Sequence, residues 1–270
     1  MMKKIATMLL LFVFLSAFPD DLYSSEVRST EHSIQFLVGE HLNYEISFLW
    51  FNHLAEGTIQ LTHGEQPGTY LVVMQAKTLG AAAFFTRHRI EKYQTLMKVG
   101  ASGLLHPIWH SSHTIRGEGK SRSEKVTKQS FDYVSKRVRY QKIKNGNTYA
   151  EKWFEMDRDK PMFDILSALY NLRLGFYGQL GQEAIHIPTF HRKGTQDIVV
   201  EPINKVDNKD HKYFSEGSIK CRVLVDPSVF GTKGREILVS FDAEMHPEKG
   251  IIKDVIGLGD VRGRLRLAVN

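Results

Sequence analysis

Residues 161–173 read PMFDILSALYNLR, the one stretch after the N-terminus whose apolar residues repeat with clear helical spacing. Ile165, Leu169, Leu172 and Phe176 fall at i, i+4, i+7 and i+11, which places them on one face of an α-helix. The pattern predicts a helix over about residues 162–177. This stretch decides the fold class because the sequence on both sides of it has the two-residue period of β-strands.

The ends of the expected helix are marked by suitable residues. Asp159 is a candidate N-cap, and Pro161 fits the first turn, where its missing N–H costs nothing. Gly175 and Gly178 offer places for the helix to stop. A second face carries short side chains, which would let the helix lie close against a sheet: Asp164, Ser167, Ala168, Asn171 and Gly175.

Two interpretations of this helix stay open. In the first, it is a packing element that crosses a curved sheet. In the second, its polar residues project into a cavity as ligand-binding anchors, and the candidates are Asp164, Tyr170 and Arg173. The choice depends on whether the helix fills the interior of the sheet or lines it.

Strand-like alternation begins near residue 40. Leu42, Tyr44, Ile46 and Phe48 point to one side of a strand, and polar residues stand between them. About fourteen such segments follow at roughly ten-residue spacing, separated by turn signals such as Asn145-Gly146. The prediction is a mainly β protein: one large antiparallel sheet, strongly curled or forming an open barrel, with one inserted α-helix. No linker or repeat interrupts residues 26–270, so a single β-rich domain is expected.

The N-terminus has the pattern of a secretory signal. Lys3 and Lys4 precede an apolar run over residues 5–18, which is shorter than the ~20 residues that a membrane span needs. Residues 1–25 are therefore predicted to be a signal peptide, with Ser24 or Ser25 before the cleaved bond. No cysteine lies near this site to carry a lipid. The mature protein is expected to be exported and soluble, and not to be a lipoprotein.

Cys221 is the single cysteine of the 270-residue chain. An exported protein with one cysteine has no internal disulfide, so its core must stabilise it. Cys221 alternates with Val223 and Val225 in a strand-like segment. This pattern predicts a buried, unreactive thiol.

Three segments resemble a bacterial family known as domain of unknown function 3108. They are Gly39–Ile46 with Ala55–Gly57, the Asp164–Arg173 segment with its D-x-x-S-x-x-Y-x-x-R pattern, and Gly257–Leu265. The resemblance extends over about residues 36–267. It implies an exported, mostly β protein of the Gram-negative periplasm with a curled sheet and one inserted helix. It implies no catalytic residue, because the family has none assigned.

Positive charge is concentrated between residues 116 and 144, where ten Lys and Arg face three Asp and Glu, although the whole chain carries +6. Two adjacent strands with a basic solvent face would attract an anionic membrane surface. The candidates for that surface are Arg137, Arg139 and Lys142. The alternative is a solvated face that protects a sheet edge against strand addition. Nucleic acid is not expected as a partner outside the cytoplasm.

No motif for catalysis, metal or cofactor binding is found. His106, His110 and His113 have no recognisable ligand spacing, and no nucleophile elbow or phosphate-binding glycine loop is present. The prediction is a non-enzymatic protein with no metal and no cofactor.

The expected function combines these features. Aromatic residues are abundant, and a wide curled sheet can enclose an apolar cavity. The preferred hypothesis is a periplasmic binding or carrier module for a lipid-like, apolar or amphiphilic ligand. The alternative is a structural or assembly factor that binds an envelope protein or glycan through a sheet edge or the basic face. The ligand and the oligomeric state are not determined by the sequence.

Overall fold

The computed structural model describes residues 34–48, 51–157, 160–191, 194–203, 210 and 212–269. The predicted signal peptide, residues 1–25, and the candidate N-cap Asp159 lie outside the described residues. None of the helices in these ranges has the length and apolar composition that crossing a bilayer with a helix requires.

In this described part of the chain, fourteen strands form one antiparallel sheet, which confirms the predicted fold class. They are β1 His41–Phe48, β2 Phe51–His63, β3 Thr69–Thr78, β4 Ile90–Val99, β5 Leu105–Arg116, β6 Ser123–Asp132, β7 Arg137–Lys144, β8 Asn147–Glu155, β9 Ile185–His191, β10 Gly194–Pro202, β11 Ile219–Leu224, β12 Glu236–Phe241, β13 Pro247–Val255 and β14 Gly259–Val269.

The sheet is a meander joined at its middle. Its order is β8-β7-β6-β5-β4-β3-β2-β1-β14-β13-β12-β11-β10-β9, so the first and last of the described strands pair with each other. Ile46 stands opposite Gly263 in that central pair. The edges are β8 and β9, which do not pair, and the barrel is therefore not closed by hydrogen bonds.

Side chains bring the two edges together where hydrogen bonds do not. Phe190 of β9 contacts the ring of Phe154 of β8 at 5.1 Å, with Phe131 and Tyr140 each at 6.3 Å. The chain before the helix also covers β9, because Phe163 N donates to Pro188 O and Phe190 N donates to Phe163 O. The curl of the sheet thus ends in an aromatic seam.

Two α-helices lie entirely within the described residues, and the sequence predicted one of them. Helix α1 spans Gly80–Thr86 between β3 and β4, and helix α2 spans Ile165–Arg173 between β8 and β9. Helix α2 is shorter than the expected 162–177. It begins after Asp164, whose side chain accepts from Leu166 N in a capping box, and the left-handed Gly175 follows its end.

Helix α2 joins two hydrophobic clusters inside the curl. Leu166 and Tyr170 pack with residues of β1 to β5, and Ala168 and Leu172 pack with residues of β9 to β12. Cys221 belongs to the second cluster and is fully buried, and burial raises its pKa to about 11. The prediction that Cys221 is buried in the core is confirmed, and its low reactivity stays a prediction.

Candidate functional site: a cavity inside the curled sheet

The interior of the sheet is only partly filled. A cavity of about 790 Å³ lies inside the curl, and it is lined by helix α2 and by residues of all fourteen strands. This volume lies within the roughly 300–1,000 Å³ typical of ligand pockets. Helix α2 lines the cavity with an apolar face of Ile165, Leu166, Ala168, Leu169 and Leu172.

One wall of the cavity is apolar and comes from β10 to β13. Its inward side chains include Val200, Val223, Ile237, Val239 and Ile252. Most of these residues are only partly buried although their strands lie within the sheet, because they face the cavity and not another layer. Such a wall favours the hydrocarbon part of a ligand.

The opposite wall, from β4 to β6, is polar. Glu91 accepts a hydrogen bond from Thr114 Oγ1 at 2.9 Å and forms an ion pair with Arg89 at 2.5 Å. Ser112 and Thr127 also line this wall. One wall thus carries hydroxyl and charged groups and the other carries aliphatic groups. Such a cavity suits a molecule that has both a polar and an apolar part.

Two lysines extend the polar wall towards solvent. Lys125 stands opposite Thr114, and Lys142 stands opposite Thr127, so both ammonium groups share the inner face of β6 and β7. Thr114 lies four residues beyond His110 along β5, roughly 13 Å from the level of helix α2. The cationic end of the cavity is therefore remote from its apolar, helix-lined end.

Arg173 of the predicted site anchors helix α2 to the start of β1. Its guanidinium makes two hydrogen bonds to Glu40, Nη1 to Oε1 at 2.7 Å and Nη2 to Oε2 at 2.5 Å, and Nε donates to Met245 O. Burial disfavours the charged guanidinium, but the bonds to Glu40 outweigh it and raise the pKa of Arg173. The pair holds the C-terminal end of the helix.

Tyr170 completes the same cluster. Its hydroxyl donates to Glu40 Oε1 at 2.8 Å, and the Arg173 guanidinium lies 5.0 Å from its ring centroid. Burial, and next the Glu40 carboxylate, raise the pKa of Tyr170 well above its ordinary value. Tyr170 therefore stays a neutral donor.

Asp164 anchors the other end of helix α2. Its carboxylate accepts from Thr95 Oγ1 at 2.6 Å and Ser167 Oγ at 2.7 Å, and His110 Nδ1 lies 3.0 Å away. Burial alone would raise the pKa of Asp164. The charge of His110 and the hydrogen bonds from His110, Thr95 and Ser167 outweigh it, so this pKa lies below its ordinary value.

The structure thus brings Tyr170 and Arg173 together and places Asp164 at the opposite end of the helix. Among the described residues, the cavity lining includes none of the three. Each is almost fully buried and bonded to other protein groups. The geometry assigns them to positioning the helix whose apolar face lines the cavity, and direct contact between them and a ligand stays a prediction.

The three anionic-surface candidates do not form one surface. Arg137 and Arg139 lie on the outer face of β7, against the ring of Trp153, and pair with Glu155 and Glu151. Lys142 lies on the inner face because side chains alternate along a strand. The expectation of one shared basic face is wrong in this respect.

Metal ligands were not expected, and the described residues contain one group with suitable spacing. The ligand atoms of Asp242, Glu244 and His246 lie within 4.8 Å of one another. His246 Nδ1 is already 2.9 Å from Asp242 Oδ2, and His246 Nε2 is 3.6 Å from Glu40 Oε2. In the described structure, His246 therefore lies next to Glu40, the carboxylate that binds Arg173, and belongs to the buried polar cluster at that end of helix α2.

The sequence did not indicate several of the residues that line the cavity. Three of the abundant aromatic residues lie outside the cavity: Phe84 and Phe85 are exposed on helix α1, and Phe154 is in the seam. The aromatic residues that line the cavity are Tyr44, Phe48, Tyr93, Tyr149, Phe230 and Phe241. A usable signal existed for Lys142, because it continues the inward alternation of Val138 and Tyr140.

Comparisons with known proteins are sparse. No family model matches the chain, and no curated protein matches it. A crystal structure of a beta-barrel-like protein of domain of unknown function 1849 from Brucella abortus is similar, with 10% sequence identity and a TM-score of 0.46. The match covers 86% of this chain and 98% of that one. At this identity and score the likeness carries no argument about function, and the resemblance to domain of unknown function 3108 stays a prediction.

Proposed function

We propose that this protein is a non-enzymatic binding or carrier module for an amphiphilic, lipid-like ligand of the bacterial envelope. The observation that carries the proposal is the cavity of about 790 Å³ with an aliphatic wall on β10 to β13 and a polar wall on β4 to β6. The hydrocarbon part lies along Val223, Ile237 and Val239. An anionic headgroup lies near Lys125 and Lys142.

The asymmetry of the two walls favours an amphiphile over a purely apolar ligand. A hydrocarbon alone would place the ammonium groups of Lys125 and Lys142 against apolar groups, and burying a charge without a partner is unfavourable. A small polar metabolite would leave the aliphatic wall hydrated. The predicted signal at residues 1–25 supports a periplasmic location, in which such ligands are abundant.

The ligand is tested by extracting the purified mature protein with organic solvent and identifying co-purifying lipids by mass spectrometry. Val239→Phe fills the cavity, and Val73→Phe makes the same change on the outer face of β3. We expect lipid content to fall at least about tenfold in the first variant, because the added ring and the acyl chain compete for one space. Equal melting temperatures of the two variants show that loss of lipid is not loss of fold.

Headgroup recognition has its own pair of variants. Lys142→Glu reverses a charge inside the cavity, and Lys128→Glu makes the same reversal on the exposed side of β6. Only the first should deplete anionic lipids from the extract. A wild-type protein that yields no lipid and binds no dansyl-labelled fatty acid would contradict the proposal.

That outcome would favour the second candidate, an assembly factor. Strand β8 is an edge of nine residues with Tyr149 62% and Trp153 48% exposed, so a partner could pair with it. Its charged residues Glu151, Lys152 and Glu155 are typical of edges protected against strand addition. For this reason the cavity is the better-supported site.

A further inference from the structure

Helix α1 presents an aromatic pair to solvent at the rim of the cavity. Phe84 is 75% and Phe85 is 82% exposed, and their rings contact each other edge to face at 5.8 Å. Ala82 and Ala83 on the other side of the helix are buried. The seven-residue helix is therefore amphipathic in the reverse sense, with small residues facing the protein and large apolar residues facing outward.

The pair is held rigidly at this position. Thr86 Oγ1 donates to Ala82 O at 2.6 Å and lies 2.9 Å from Thr78 Oγ1 of β3, and Leu79 N donates to Leu54 O. Thr78 and Thr86 themselves line the cavity. The exposed rings thus stand directly beside the entrance to the ligand site.

Two other strand connections, β5–β6 and β7–β8, lie at the same end of the strands as helix α1. The β5–β6 connection contacts the end of helix α1, because Gly117 N donates to Arg87 O at 2.6 Å and His88 Nδ1 lies 3.3 Å from Glu118 Oε1. The β7–β8 turn lies beside it, with Asn145 N donating to Glu124 O. The β3–β4, β5–β6 and β7–β8 connections therefore contact one another in a row, and together they form one continuous rim.

This rim is strongly basic. Residues 79–89, 116–125 and 142–147 together hold two Glu and eight Lys and Arg: Arg87, Arg89, Arg116, Lys120, Arg122, Lys125, Lys142 and Lys144. Most of these cations are exposed. Exposed aromatic rings inside a ring of cations suit a bilayer surface that carries anionic lipids, where rings enter the interface and cations meet headgroups.

We propose that this rim, with Phe84 and Phe85 at its tip, docks the protein on a membrane containing anionic phospholipid, so that the cavity opens towards the bilayer. This rests on the proposed function, since docking at the entrance would let a lipid pass between membrane and cavity without crossing water. The rings insert, and the eight cations orient the rim by long-range attraction. A protein partner with an acidic, apolar surface is the competing occupant.

Flotation of the full mature protein with vesicles tests the docking. One set contains phosphatidylcholine alone, and the other contains equal parts of phosphatidylcholine and phosphatidylglycerol. Wild-type protein should float with the anionic vesicles, and added salt should weaken the binding. Phe84→Ser with Phe85→Ser should weaken partitioning at least about tenfold, because two aromatic side chains no longer leave water.

Matched controls separate the rim from general stickiness and charge. Val134→Ser removes a 97% exposed apolar residue from the β6–β7 tip and should bind as wild type does. Lys120→Glu with Arg122→Glu should abolish binding to anionic vesicles, whereas Lys128→Glu with Lys136→Glu should retain more of it. If both charge variants lost the same amount of vesicle binding, the binding would depend on net charge and not on the rim, and the proposal would be overturned.

The outcome is distinguishable from that of the ligand proposal. The Phe84 and Phe85 variant should bind dansyl-labelled fatty acid in solution as the wild type does, because neither ring lines the cavity. A wild-type protein that contains lipid but floats with neither vesicle set would overturn the docking and leave the carrier function standing. Vesicle binding without any extractable lipid would support the docking and contradict the carrier function.

Discussion

Single buried charges fix the position of helix α2. Arg173 and Asp164 lie at opposite ends of the helix, and each is bonded to groups from distant parts of the chain. The residue types were visible in the sequence, but Glu40 stands 133 positions from Arg173 and no local pattern joins them. A buried ion pair contributes to specificity of position because its loss leaves an uncompensated charge.

The Asp164 carboxylate makes folding stability dependent on acid. Its folded-state pKa lies below the ordinary 3.8, so its contribution is present above that pH and is lost as pH falls through the lower native value. Asp164→Asn should lower the free energy of unfolding at pH 7 by about 1.5–3 kcal/mol. The difference from wild type should shrink below pH 3.8. Urea titrations across this pH range measure it.

The control for this prediction is Asp197→Asn, since the Asp197 side chain is 49% exposed. It should change stability little at any pH. A difference between wild type and Asp164→Asn that stays constant with pH would show that the charge of Asp164 is not its source.

At the scale of elements, helix α2 is docked by an amide. Asn171 Oδ1 accepts from Leu105 N at 2.8 Å, and its Nδ2 donates to Leu105 O at 3.0 Å, as a neighbouring strand would. Asn171 is fully buried. The short side chains on this face allow that close approach, which the sequence reasoning anticipated. The specific strand end they meet was not predictable.

Removing the amide should loosen the helix. Asn171→Ala leaves two buried backbone groups of Leu105 without partners, and we expect a loss of about 1–3 kcal/mol for each in the urea unfolding free energy. Gln141→Ala, which removes an exposed amide bonded to Glu151, is the control and should be nearly neutral. Unchanged stability in Asn171→Ala would mean that water replaces the amide.

At the scale of the whole molecule, the curl is closed by packing. Strands β8 and β9 share no ladder, and Phe190 bridges them with its ring against Phe154, Phe131 and Tyr140. Such a seam needs no fixed register, because aromatic contacts are less directional than backbone hydrogen bonds.

Phe190→Ala should open this seam. The loss of a buried phenylalanine costs about 3–5 kcal/mol, and amide hydrogen exchange should accelerate in β8 and β9 more than in the central strands β1 and β14. Phe84→Ala, which removes an exposed ring, should leave exchange in β8 unchanged. Uniform acceleration over all strands would show global destabilisation and no separate seam.

The sequence by itself determined the strands, the single sheet, helix α2 and the buried thiol, because alternation and helical spacing are local signals. Helix α1 was missed although its Ala-rich segment GAAAFFT favours a helix. Only the tertiary structure decided that Glu40 meets Arg173 and that the interior is only partly filled. These depend on how far the sheet curls, a sum of twists and side-chain volumes over fourteen strands that no segment carries alone.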